Sequence, residues 1–190
     1  HRWLNLSGWP VLADPLAALA DDCPNRIEHW ELQLDRLLLP DDAQVLRLGP
    51  MPASRRLEAW LQRHQGPQLL ITEGDPRPLD PLQMASQWSG GMADWIAQQP
   101  VLHQETKPSV GTNYLSPWIE AQLPLNGIVN EPALAYWLPK LLPERLPVML
   151  AASSPVRDWL TWGGPACGRH LCFSFRGASG IDGTLSLAMG

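Results

Sequence analysis

The sequence predicts an α/β protein built of parallel-sheet, three-layer units. Two segments carry that expectation. Residues 44–48 and 68–72 are short apolar runs that read as buried strands, and between them Leu57, Trp60 and Leu61 recur at helical spacing behind Ser54, a residue suited to cap a helix. Residues 147–151 and 171–175 bracket a second helix over 155–160, whose start is marked by Ser154 before Pro155. Crossovers of this kind suit parallel strands, and in such sheets ligands gather beyond the carboxyl ends of the strands.

Composition sets the outer limits. A chain of 190 residues at 45% hydrophobic content can bury a core, as one large domain or two small ones. Fourteen Lys and Arg stand against 19 Asp and Glu, a net charge of -5 with no basic stripe, which argues against nucleic acid as a partner. The longest apolar runs, 37–39 and 148–152, fall far short of the roughly 20 residues of a membrane span. Cys23, Cys167 and Cys172 are odd in number and irregular in spacing, as expected of reduced thiols in a cytoplasmic protein. Cys167 and Cys172 flank His170, but zinc wants four ligands at closer spacing and a second pair elsewhere, so no metal site is expected within the chain. The first residues lack a signal-peptide pattern and an initiator Met, so the chain is expected to begin inside a larger protein.

Taken in order, residues 1–13 read as a helix end, a stop at Ser7-Gly8 and a short strand over 9–12. Ile27, Trp30, Leu34, Leu37 and Leu38 then predict an amphipathic helix over 26–38 with Pro40 as its stop. After the first strand–helix–strand unit, the stretch 76–130 is rich in Pro, Gln, Ser and Gly, with one amphipathic piece at 92–96, and its second half reads as a linker. Asn130 can cap a helix with Pro132 in its first turn and Leu134, Trp137 and Leu138 facing inward. The chain therefore divides into 1–98, a linker over 99–129, and 130–190.

Three places invite an anion. Arg55 and Arg56 fall in the first turn of one helix and Arg157 in that of another, where cations oppose the helix dipole and so do nothing for the helix itself. Solvated surface arginines are the bland alternative. The third place is Arg176-Gly177-Ala178-Ser179-Gly180-Ile181-Asp182-Gly183, between the strand at 171–175 and a helix over 184–189. A glycine-rich turn there lets backbone N–H groups approach an anion at a helix start, although a tight, empty turn fits the same residues.

The run from Arg176 to Gly183 resembles the signature of the 2-succinyl-5-enolpyruvyl-6-hydroxy-3-cyclohexene-1-carboxylate (SEPHCHC) synthases, thiamine-diphosphate enzymes of menaquinone and phylloquinone biosynthesis. Gly8-Trp9-Pro10-Val11 with Asp14, Leu48-Gly49 through Arg55-Arg56-Leu57, and Ser153 with Arg157 follow in the family's order. The resemblance implies that 1–98 is part of a middle, Rossmann-like domain and that 130–190 begins the diphosphate-binding domain. It implies decarboxylation of 2-oxoglutarate on thiamine diphosphate and addition of the succinyl unit to isochorismate. Arg157 and Arg176 would contact substrate as catalytic residues. Ser153, Gly177, Ser179, Gly180 and Ile181 would bind the cofactor, with Ile181 the apolar prop beneath it, and Arg55 and Arg56 would bind substrate. The family has Lys-Arg at the last pair in at least some members, so Arg55 keeps the charge but not the shape. The activating Glu and the Mg2+ ligands would lie outside this chain, which alone is expected to be inactive and not to bind the cofactor. Sites between subunits imply a homo-oligomer for the full-length protein. A non-catalytic small-anion-binding or regulatory α/β module is the alternative from a different class.

Overall fold

The computed structural model describes residues 2–17, 19, 22–23, 25–37, 39–100, 129–175 and 183–189. It is mixed α/β with parallel strands in two small sheets. Its contacts fall into two compact units, one formed by the described residues of 1–9 and 36–110 and the other by those of 10–35 and 111–190. The contacts therefore do not follow a single cut near residue 98, because 10–35 packs with the second unit. No helix among the described residues is long and apolar enough to cross a membrane.

In the first unit, helix α1 (Arg2–Ser7) closes on Gly8, whose φ of 66° and amide bond to the Leu4 carbonyl at 3.1 Å make the expected stop. Further along the chain come the first strand, β1 (Val45–Leu48), helix α3 (Arg55–Arg63) and β2 (Gln68–Ile71). Ser54 caps α3 as its sequence predicts, accepting the Leu57 amide at 2.9 Å, and Leu57 and Leu61 are buried beneath it. β1 and β2 pair in parallel from Val45 opposite Gln68 to Leu48 opposite Ile71.

A third strand, β3 (Ser86–Trp88), joins the open side of β2 in parallel. It lies in the stretch read only as Pro- and Gln-rich; three residues with a polar pair at the start carry no periodic signal. Asp80 organises the connection that delivers it, accepting the amides of Leu82, Met84 and Ala85 and pairing with Arg47 of β1 at 2.7 Å. Glu73 then receives the Met92 amide at the start of α4 (Met92–Ala97), the amphipathic piece, which buries Trp95.

The second unit corrects three expectations. The strand expected over 9–12 is a single parallel bridge between Val11 and Arg26, and the helix expected over 26–38 forms only as α2 (Trp30–Gln33) and a following 3-10 turn (Leu34–Arg36). Asn25 and His29 take left-handed φ values of 58° and 48°, and the Ile27 amide bonds to the Val11 carbonyl, so the backbone at 25–29 is unavailable to a helix. Of the apolar positions expected to face inward, Ile27, Trp30 and Leu34 are buried and Leu37 is half-buried, while Leu38 lies outside the described residues.

The third correction concerns α5 (Glu131–Leu141). Asn130 caps it through the Ala133 amide at 2.9 Å, as expected. Leu134, Trp137 and Leu138, expected inward, are 44%, 47% and 38% exposed, whereas Ala135, Tyr136 and Pro139 are buried. Two prolines help to select that face. Pro139 offers no N–H to the Ala135 carbonyl, and Pro143 none to the Pro139 carbonyl. The ring of buried His170 donates Nε2–H to the latter at 2.8 Å, and Gly163 packs against the former.

The remainder of the unit follows the predicted order. β4 (Val148–Leu150) and β5 (Cys172–Ser174) pair in parallel around α6 (Ser154–Trp162), and α7 (Thr184–Met189) closes the described chain. Val156, Trp159 and Leu160 bury the inner face of α6. Among the described residues no cysteine forms a disulfide; burial pushes the Cys172 thiol up to about 11, the Trp159 indole opposing it, which keeps that sulfur protonated and unreactive at neutral pH.

His29 is buried, stacked on Tyr136 and linked through Nδ1 to the Thr161 carbonyl at 3.2 Å. Burial lowers its pKa; the Thr161 carbonyl works against that, and the charges of Lys140 and Arg26 add to it. The unfolded chain therefore binds the proton more readily. The stabilisation is complete above the ordinary His pKa of about 6.5 and is lost as the pH falls below it, at up to about 1.4 kcal/mol per pH unit. Urea midpoints at pH 7.5 and 5.5 should differ accordingly, and equal midpoints would show that His29 does not resist protonation.

Candidate functional site

The carboxyl end of β4 leads through Ala151 and Ala152 into the turn that starts α6. Ser153 occupies the N-cap position with φ 77° and ψ -121°, a conformation that costs a non-glycine residue about 1–3 kcal/mol. Its hydroxyl caps no amide. It accepts instead from Nη2 of Arg157, one turn on, at 2.9 Å. Both residues are exposed, and among the described residues no carboxylate pairs with the Arg157 guanidinium.

This corner can do one thing well. A guanidinium held against a hydroxyl, beside the uncapped first turn of a helix, presents several N–H donors and a positive dipole end to the same space. The donors match a carboxylate or phosphate oxygen and would not hold a metal. Among the described residues no three His, Cys, Asp or Glu side chains come together. A pocket between Ala13, Arg26, His29, Trp159, Gly164 and Cys167 has about 10 Å³ of space, room for a water molecule and too little for any cofactor or substrate. Among the described residues the open corner at Ser153 and Arg157 is therefore the candidate anion site.

In the other unit, Arg55 and Arg56 are exposed in the first turn of α3, beyond the carboxyl end of β1 and the left-handed Gly49. Arg176, Gly177, Ser179, Gly180 and Ile181 lie outside the described residues. Gly183 is described, at φ +85° with open space where a side chain would be. The structure thus brings Ser153 and Arg157 together and presents Arg55 beside Arg56 on a separate unit. Sequence spacing places Ser153 and Arg157 one helical turn apart, but the strained backbone and the missing cap have no sequence signal.

Comparison with known proteins supplies the lineage. The chain is 88% identical over its whole length to a SEPHCHC synthase of Synechococcus sp. (strain CC9605), and 64% identical to the same synthase of Parasynechococcus marenigrum (strain WH8102). A synthase of Prochlorococcus marinus (strain NATL2A) is 45% identical, again across the whole chain. The chain belongs to the SEPHCHC synthase family. It spans about a third of the curated relatives' length, 34% of the first and 35% of the second. No protein-family model matches it.

Proposed function

We propose that the full-length polypeptide carrying this chain is a thiamine-diphosphate-dependent transferase that decarboxylates 2-oxoglutarate and adds the succinyl unit to isochorismate. Identity of 88% to a synthase of that name, together with a guanidinium and a hydroxyl converging beyond a parallel strand, supports the reading. Both substrates carry carboxylates, which paired guanidinium N–H groups bind through charge-assisted hydrogen bonds. When bound, thiamine diphosphate supplies the electron sink for decarboxylation. The chain's own residues bind and orient: Arg157 and Arg176 hold substrate carboxylate, and Arg55 and Arg56 add positive charge from the middle domain. Ser153, Gly177, Ser179, Gly180 and Ile181 form one wall of the cofactor site, with the Mg2+ ligands outside this chain.

In this reading residues 1–98 are part of the middle domain, 99–129 a linker and 130–190 the start of the diphosphate-binding domain. The enzyme works in the cytoplasm as a homo-oligomer, and the chain by itself is inactive. The observation that supports the reading at the site is the Ser153–Arg157 pair, and its test is kinetic. In the full-length protein, Arg157→Ala should lower kcat/KM by a factor corresponding to about 2–4 kcal/mol, the cost of removing a preorganised electrostatic stabiliser. Unchanged steady-state kinetics would refute the assignment of Arg157.

A further inference from the structure

The small pocket between the segment 10–35 and the end of α6 is lined by polar groups that the protein itself leaves unbonded. Nδ1 of the buried His29 lies 3.2 Å from the Thr161 carbonyl, and a carbonyl only accepts, so Nδ1 carries the proton. In the neutral ring Nε2 is then a bare acceptor, and among the described residues nothing donates to it. Arg26 and His29 both line the pocket, and Nη1 of Arg26 is buried without a partner. A buried donor or acceptor left unbonded is costly, so each calls for a partner. Gly164, also in the lining, keeps the approach to Nε2 clear: a Cβ there would stand 2.7 Å from that atom, and the φ of +63° itself favours glycine.

We infer that this pocket is a binding site for one ordered water molecule, which accepts a hydrogen bond from Arg26 Nη1 and donates one to His29 Nε2. The volume of about 10 Å³ suits a single water, and a buried water keeps its place when two or more polar partners hold it. One donor and one acceptor in the same lining select water over an ion. A small anion would face the lone pair of Nε2, and a small cation would face the guanidinium. Arg26 and His29 make no bond to each other, so the water is what joins them. It thereby ties the turn at 25–29 to the backbone that leaves α6, and it does so whatever reaction the full-length protein performs.

A crystal structure of the full-length protein, at a resolution that shows ordered solvent, is the direct test. It should show one water at about 2.7–3.2 Å from both Arg26 Nη1 and His29 Nε2. An empty pocket, or a water that touches only one of the two atoms, overturns the inference. So does an anomalous peak in the pocket of a crystal soaked in bromide, which would mark an anion site instead. A double-mutant cycle reads the bridge in solution, at about pH 7.5 where an ordinary histidine is neutral. Arg26→Met and His29→Phe should each lower the Tm of the full-length protein by about 2–4 °C, and the double variant should lower it by less than the sum. Additive shifts between two side chains that share no direct bond overturn the bridge. Should either variant fail to fold, the crystal structure of the unsubstituted protein decides alone.

Discussion

Asp80→Ala should destabilise the first unit by about 3–5 kcal/mol, the usual consequence of removing one member of a buried ion pair. The Asp80 and Arg47 side chains are only 7% and 10% exposed, and they meet at 2.7 Å. Asp80 also receives the amides of Leu82, Met84 and Ala85, so its loss strands three backbone donors and a guanidinium whose Nη1 already has no partner. Burial alone would raise this carboxyl, but the Arg47 hydrogen bond and the amides of Ala85, Met84 and Leu82 together bring it down to about 2. The sign follows. The folded pKa lies below the unfolded value of about 3.9, so the stabilisation is present above pH 4 and is lost as the pH falls toward 2. Urea denaturation followed by tryptophan fluorescence checks both parts. A loss under about 1 kcal/mol at pH 7 would show that the β2–β3 connection holds without its carboxylate.

Gly163→Ala should cost about 3 kcal/mol or more, at a helix end where the backbone conformation itself is unremarkable. The φ at Gly163 is -66°, which any residue adopts, so the demand is for space alone. A Cβ there would lie 2.1 Å from Cys167 Sγ, 2.7 Å from the Trp159 carbonyl oxygen and 3.4 Å from that of Ala135. Cys167 is buried with its sulfur directed at the Trp159 carbonyl, so relieving the clash means displacing a packed side chain. Overpacking of this kind forces backbone shifts of α6 against α5. Adding Cys167→Ala removes the closest clash, so the double variant should regain part of the loss although Cys167→Ala alone destabilises. Strictly additive losses would place the damage elsewhere. Gly49 is the contrasting case: its surroundings are open and its left-handed φ of +69° is what calls for glycine.

Whatever depended on neighbours in sequence was legible. Ser54 and Asn130 were identifiable as caps, β1, β2, β4 and β5 as short apolar runs, α3 from its spacing and α6 from its Ser-Pro start, because each reflects forces acting within a few residues. What depended on tertiary competition was not. The spacing of Ile27, Trp30 and Leu34 is satisfied by burial without a continuous helix, and the Ile27 amide found Val11 instead. On α5 the larger apolar side chains suggested the wrong face, since close approach to Gly163 and the proline-freed carbonyls favoured Ala135, Tyr136 and Pro139. β3 is too short and polar to announce itself. At the candidate site the identities of Ser153 and Arg157 were informative, but a hydroxyl that declines its cap is visible only in three dimensions.

The bond from His170 to the Pro139 carbonyl links two distant parts of the chain. The last carbonyls of any helix need donors from outside it, and here Pro139 within α5 and Pro143 just beyond it, one turn apart, supply no amide. The donor for the Pro139 carbonyl comes from a residue 31 positions further along the chain. Closing so large a loop costs entropy that the helix alone cannot recover. The Pro139 carbonyl therefore has its donor only when His170, just ahead of β5, is packed against the end of α5. The end of the helix and the approach to the strand are thereby tied together in the folded unit.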